Sequence, residues 1–133
     1  MGPNEKILHD AYAAYADGRV ESLLSIFAEN VVIKSVGARN RLDHAGEWHG
    51  VDGLKGFLVA IAANWTFQKI DMLEILTQND RRFVARSAVI GINRHTGARA
   101  SVERVDLVTM ENGKCTSYEE IFDTSPLERA SRY

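Results

Sequence analysis

The sequence predicts an α+β fold, with N-terminal helices packed over the concave face of a curved, cone-shaped antiparallel sheet. Three observations predict it. Apolar residues recur at three- and four-residue spacing over 7–27 and again over 51–65. From Thr66 onward the pattern changes to β-rich segments divided by turn signals. The last of these signals, Asn112-Gly113, is the strongest hairpin mark in the chain. Helices gathered on one face of an antiparallel sheet define this class, and such a sheet can close around a cone-shaped pocket.

The elements follow in order. Ile7, Leu8, Ala11, Tyr12, Ala14 and Tyr15 form one stripe of an amphipathic helix. Asp17-Gly18 interrupts it, and Gly18 suits a helix C-terminal cap. Val20, Leu23, Leu24 and Phe27 make a second stripe, and the β-branched run "NVVIKSV" (30–36) reads as a strand. Between Gly37 and Gly50 periodicity is lost, and this glycine-rich polar stretch is expected to be a loop. Val51, Leu54, Phe57, Leu58, Ile61 and Trp65 form a third helix. "TFQKIDMLEILTQ", "RFVARSAVIGIN", "ARASVERVDLVTM" and "KCTSYEEIFD" then read as four strands of an antiparallel meander. Ser125-Pro126-Leu127-Glu128 is a capping box with proline at the first helical position, so a short terminal helix is expected.

Length and composition narrow the function. At 133 residues, 45% hydrophobic and 26% charged, a single globular domain over 1–133 is expected. A net charge of −2 gives no electrostatic footprint for nucleic acid or an anionic membrane surface. The longest strongly apolar run, "GFLVAIAANW", is too short to span a bilayer. The N-terminus lacks a basic-then-apolar secretory pattern, and the single Cys115 excludes an internal disulfide, so a cytoplasmic setting is expected. The four histidines show no metal-ligand spacing. Phosphate loops, dinucleotide fingerprints and nucleophile elbows are missing from the sequence. The expectation is a site with no metal and no cofactor.

Three stretches carry a resemblance to a known family: "AYAAYADGRVESLLSIFAEN", "EWHGVDGLKGFL" and "ERVDLVTMENGKCTSYEEIFD". Together with the element order, they make the chain similar to the nuclear transport factor 2-like superfamily. That group includes steroid delta-isomerases, SnoaL-like polyketide cyclases, limonene epoxide hydrolase and scytalone dehydratase. The resemblance implies a pocket between helices and sheet for a small hydrophobic ligand, and a homodimer packed through the sheet. It implies an oxyanion-donating tyrosine on the first helix, a place for which Tyr12 and Tyr15 compete. Where steroid isomerases end their first strand on a basic aspartate, this chain has Ser35, which cannot take a carbon-bound proton without activation. A second acidic donor falls on Asp106, and an acid on the last strand falls on Glu120. Epoxide hydrolases carry Arg-x-Asp on a middle strand; here Arg86-Ser87-Ala88 keeps the arginine alone.

The residues themselves single out "YEEIFD" (118–123). At period two, Tyr118, Glu120 and Phe122 share one face and Glu119 takes the other. A carboxyl enclosed by aromatic rings loses solvation, which suits it to general acid–base work near neutral pH. Glu120 is therefore the leading catalytic candidate, with Glu119 a surface or partner-facing charge. Arg86 shares parity with Val84, Ala88 and Ile90, and is expected either to pair with Glu120 in the pocket or to lie solvated on the outer face. A strict two-residue Asn112-Gly113 loop places Val105 opposite Glu120 and favours Glu103 over Asp106 for the pocket. A three-residue loop reverses that choice, and the resemblance favours Asp106. Trp48, His44 and His49 lie in or beside the glycine-rich loop, where the aromatic could close over a flat ligand and a histidine could titrate near neutral pH, or the loop is plain surface with Trp48 anchored on the third helix; Phe57 completes the expected pocket wall. The function expected is a cofactor-independent isomerase, cyclase, dehydratase or hydrolase. The alternative is a ligand-binding or dimerisation module of the same fold.

Overall fold

The computed structural model of the protein describes residues 1–132, apart from the Val20 side chain, one member of the second predicted stripe. Helix α1 (Pro3–Ala16) starts on a proline whose missing N–H costs nothing there. It stops at Gly18, whose φ of 81° admits the left-handed turn. Arg19 N–H donates to the Ala14 carbonyl and Gly18 N–H to that of Tyr15, closing the last turn. A short α2 (Val20–Leu24) follows, and Phe27 opens β1 (Phe27–Ser35) instead of extending the second helix.

The stretch expected to be all loop contains a strand, β2 (Gly46–His49), antiparallel to β1. It leads into α3 (Gly50–Asn64), and Trp48 lies directly on that helix. A Cβ at Gly56 would come within 2.9 Å of the Trp48 ring, so the glycine is what lets the indole seat. Four long strands follow: β3 (Trp65–Gln78), β4 (Arg82–Asn93), β5 (Arg99–Glu111) and β6 (Lys114–Ile121). Helix α4 (Ser125–Ala130) closes the described chain, with Thr124, not Ser125, at its N-cap.

The six strands form one curved, unclosed sheet in the order β2-β1-β6-β5-β4-β3. The meander is antiparallel as expected. The sheet as a whole is not, because β1 runs parallel to β6. The core lies between helices and concave face, and joins Leu8, Tyr12, Leu54 and Phe57 to Val31, Ile33, Val108 and Met110.

The register of the last hairpin decides which acid faces inward. The turn is the tight two-residue one, since Glu111 pairs with Lys114 and Met110 with Cys115. A bulge then leaves Thr116 unpaired, and from Thr109↔Ser117 onward the ladder is offset by one residue. Asp106, not Val105, therefore stands opposite Glu120. The bulge does what a three-residue loop would have done.

Candidate functional site

The inner face of β5 reads Ala100, Val102, Arg104, Asp106, Val108, Met110, which puts a guanidinium and a carboxylate inside a row of apolar side chains. Asp106 is fully buried, and Arg104 and Glu120 nearly so. Charges at that depth persist only when paired. Arg104 Nε lies 3.1 Å from Asp106 Oδ1, although its N–H is not aimed at the oxygen, so this is a charge contact and not a hydrogen bond. Arg104 Nη1 lies 3.8 Å from Glu120 Oε2.

Each carboxylate has its own donors. The Tyr12 hydroxyl, from α1, donates to Asp106 Oδ2 at 2.6 Å. The Ser35 hydroxyl, at the end of β1, donates to Glu120 Oε1 at 2.6 Å. Tyr118 donates to Glu120 Oε2 at a longer 3.3 Å. Ser35 reaches Glu120 because β1 and β6 run parallel with these two residues in register.

Burial sets the protonation tendencies. It pushes the Asp106 carboxyl above its ordinary value, with Arg104 opposing. It pushes Tyr15 up to about 12 and Tyr12 and Tyr118 well above their ordinary value, so all three phenols keep their protons at neutral pH. Burial works against the charge on Arg104, but Tyr118, Asp106 and Glu120 around it hold its pKa above the usual range. His44 approaches from the β1–β2 connection, its Nε2 3.9 Å from Glu120 Oε1. Burial lowers its pKa to about 4, so it is neutral at physiological pH.

These groups bound two apolar cavities. The first encloses about 630 Å³ of atom-free space, its mouth included, between α1, α3 and the sheet. Its polar wall is Tyr12, Tyr15, Arg104, Tyr118 and Glu120, and Leu8, Leu54, Phe57 and Val108 are among its apolar lining. The second encloses about 460 Å³ among His44, Trp65, Phe67, Val89 and Phe122. Arg104 and Ile61 line both.

The structure sorts the residues singled out from sequence. Tyr12, Asp106, Ser35, Tyr118 and Glu120 come together in one network, with Asp106 behind the cavity wall. Tyr15 and Phe57 line the first cavity, and Phe122 lines the second. Arg86 is not part of the site. It sits on the outer face of β4 and bonds to Glu74 at 3.0 Å and to Glu103, so it is neither the partner of Glu120 nor an inward charge. Glu103 points outward with it. His49 is 66% exposed and pairs with Glu47, away from both cavities, which removes it from the pocket. Trp48 does not close over a ligand. Its indole packs on α3, donates to the His44 carbonyl at 3.0 Å, and carries the Arg39 guanidinium 4.1 Å above its ring. Cys115 is buried and its thiol is pushed up to about 12, which leaves it unreactive.

Sequence reasoning missed Arg104, and it named His44 only beside Trp48 and His49, without placing it at Glu120. Arg104 shares parity with Asp106, two positions earlier in an alternating apolar strand, and that was its available signal. His44 lay in the stretch without periodicity, and nothing local marked it as buried.

A family model for the SnoaL-like domain matches residues 8–118. An NTF2-like protein of unknown function from Burkholderia pseudomallei has a TM-score of 0.90 at 19% identity, with 100% of both chains covered. TerC, co-crystallised with polyporic acid, has a TM-score of 0.84 at 24% identity, covering 99% of this chain and 100% of its own. A Mesorhizobium loti structure bearing the name SnoaL-like polyketide cyclase has a TM-score of 0.72 at 18% identity, covering 88% of this chain and 97% of its own. Identities this low carry fold and not activity. No curated protein sequence matches. A matched family model over most of the chain, on a six-stranded cone with this helix order, makes the protein a member of the SnoaL-like family within the NTF2-like superfamily.

Proposed function

We propose that the protein is a cofactor-independent enzyme that applies general acid–base chemistry to a small hydrophobic substrate, in the class of isomerases, cyclases, dehydratases or hydrolases. The observation that carries this reading is Glu120. Its carboxylate sits in the wall of a largely apolar cavity beside Arg104 and three tyrosines, with Ser35 and Tyr118 holding its two oxygens. A carboxylate fixed in that way is placed to take a proton from a bound molecule and return it. Arg104 supplies a positive field beside oxygen that gains charge during the reaction.

Of the two helix tyrosines, Tyr15 is the better donor to such an oxygen. The Tyr12 proton is committed to Asp106, whereas the Tyr15 hydroxyl makes no hydrogen bond among the described residues. Asp106 is a positioning residue that fixes Tyr12 and Arg104. The names carried by structural neighbours, one bound to polyporic acid and one named a polyketide cyclase, support a substrate built on rings.

The test is a thermal-shift panel of steroids, polyketide-like aromatics, terpene epoxides and small phenols, followed by turnover of the stabilising compounds. Glu120→Gln is expected to keep binding and to lose turnover by roughly 10²–10⁴-fold. Unchanged turnover would remove Glu120 from the mechanism.

A ligand-binding module without catalysis is the second reading, favoured by Ser35 standing where the resemblance calls for a basic aspartate. Binding without turnover of any stabilising compound would select it. We also propose that a second copy covers the outer sheet face, where Leu73, Leu76, Val84 and Ile121 are exposed. Sedimentation at micromolar concentration reads that directly. No helix among the described residues is long and apolar enough to cross a membrane, and a buried, unpaired Cys115 fits the cytoplasmic setting proposed here.

A further inference from the structure

A solvent-open groove lies where the end of α1, the last turns of α3 and the start of β3 meet the β4–β5 connection. It offers about 450 Å³, within the range of small-molecule sites. Glu120 and Asp106 do not line it. The local sequence builds its floor. β3 carries an extra residue at Gln68, which has no partner across the ladder to β4. This bulge resets the alternation, so Phe67 and Ile70, three apart, pair with Gly91 and Val89 and face the same way. β3 is also the last strand of the sheet, so no strand covers its free edge.

The walls and the charges of the groove differ in kind. Its open wall is aliphatic: Val59 of α3 is 67% exposed, and Ala62 is exposed one turn further on. The aromatic groups offer no parallel faces to clamp a flat ring, because Trp65 is buried and Tyr15 meets Phe67 edge-on at 61°. Two charged side chains line the groove, Lys69 and Arg94, and no carboxylate does among the described residues. Lys69 already has Asp71 at 3.2 Å. Arg94 donates through Nε to the Trp65 carbonyl at 3.3 Å, which holds the guanidinium at the groove. Its Nη groups have no hydrogen bond or ion pair among the described residues. In a chain of net charge −2, a groove lined by hydrocarbon and by cations alone is complementary to an apolar molecule with an anionic end. The guanidinium fork fits a carboxylate through two parallel bonds.

We propose that this groove is a second binding site, and that its ligand is an aliphatic carboxylate of medium chain length. The chain lies against Val59, Ala62 and Ile70, and the carboxylate meets the Nη groups of Arg94. The site stands apart from the acid–base chemistry assigned to Glu120 and does not depend on it.

The experiment is isothermal titration of the whole chain with octanoate and with octan-1-ol, its neutral counterpart. The wild-type protein is expected to bind the acid roughly tenfold or more tightly, the gain for a charge-assisted pair. That gain should shrink as salt is raised, because Arg94 is exposed. Arg94→Gln is expected to remove the advantage of the acid. Arg94→Lys loses the same Nε bond to Trp65 but keeps the charge, so it is expected to retain part of the advantage, which a merely structural role for Arg94 would not produce. Ala62→Trp, a change at an exposed helix position, is expected to block both compounds while thermal unfolding stays that of a folded protein. Equal affinity for acid and alcohol, binding of neither, or an advantage that survives Arg94→Gln would overturn the proposal. So would self-association that Ala62→Trp abolishes, since the groove would then belong to a second copy. No turnover is read, so failure here leaves the Glu120 mechanism standing, and failure of that mechanism leaves this site standing.

Discussion

Asp106 and Glu120 stand directly opposite one another across the β5–β6 ladder, two carboxyl groups on one buried face with Arg104 as the cation between them. With both ionised, the cluster carries one negative charge more than it neutralises. Burial favours the neutral acid at Asp106, and Tyr12 and Ser35 each lend a hydroxyl to one member of the pair. The arrangement is stable only while the guanidinium is present.

Arg104→Met is therefore expected to cost about 3–5 kcal/mol, the usual penalty for stripping one partner from a buried ion cluster. Without the cation, which opposes the effect of burial, the Asp106 carboxyl is pushed further toward its neutral form in the folded state. Stability that depends on the protonated form is lost as pH rises, so the deficit should be larger at pH 8 than at pH 5. Urea unfolding at the two pH values measures it. A deficit under 1 kcal/mol, or one that does not change with pH, would contradict the charge balance described here.

His44 sets the acid limb of stability. Its folded pKa of about 4 lies below the ordinary 6.5, so between those values the unfolded chain binds a proton that the folded chain refuses. Stability falls as pH drops through that window, and the loss is complete below about 4, on the order of 3 kcal/mol. Asp106 runs the other way, since its raised pKa makes its contribution fade as pH rises. His44→Phe keeps a ring against Phe122 and removes the titration. The difference between wild-type and variant stability curves should therefore slope between pH 4 and 6.5 and be flat above.

Asp80 caps a helix that lies 76 residues away in sequence. Its Oδ2 accepts the Asn4 N–H at 3.0 Å and its Oδ1 the Glu5 N–H at 2.9 Å, while Asn4 accepts the Gly113 N–H from the last hairpin. Asp80→Ala should cost about 1–2 kcal/mol, as loss of a local cap does. Hydrogen exchange should quicken first in residues 4–8, and Asp80→Asn should restore part of the loss.

Thr116 tests the register. Thr116→Ala should change stability by about 0.5 kcal/mol or less, because the bulge and not the side chain is what counts. Deleting Thr116 joins Cys115, opposite Met110, directly to Ser117, opposite Thr109, so the ladder closes without its bulge, with the Asn112-Gly113 turn kept and Glu120 still facing inward opposite Asp106. A cooperative unfolding transition is expected to survive by circular dichroism, and its loss in the deletion variant would refute this account of the register.

The sequence made the order of elements legible because each long segment holds one period. It did not make the faces of β4 legible, since Val84, Ala88 and Ile90 outside are as apolar as Phe83, Val89 and Gly91 inside. Arg86 could not be placed by parity for that reason. Asp106 and Glu103 could not be separated by counting back from the turn, because the extra residue at Thr116 leaves no mark in composition. The polar stretch 37–50 concealed β2 and a buried His44, whose placement depends on Trp48 seating against two glycines of α3.

The pairing of the first strand with the last has a consequence for how the protein is made. β1 has β2 on one side, and on the other waits for β6, the final strand to leave the ribosome. The contacts that build the site span 94 residues from Tyr12 to Asp106 and 85 from Ser35 to Glu120. Closing such distant contacts is slow. Until translation passes Glu120, the apolar residues Val31 and Ile33 are exposed beside an open strand edge, and the nascent chain is vulnerable there to mispairing with its neighbours.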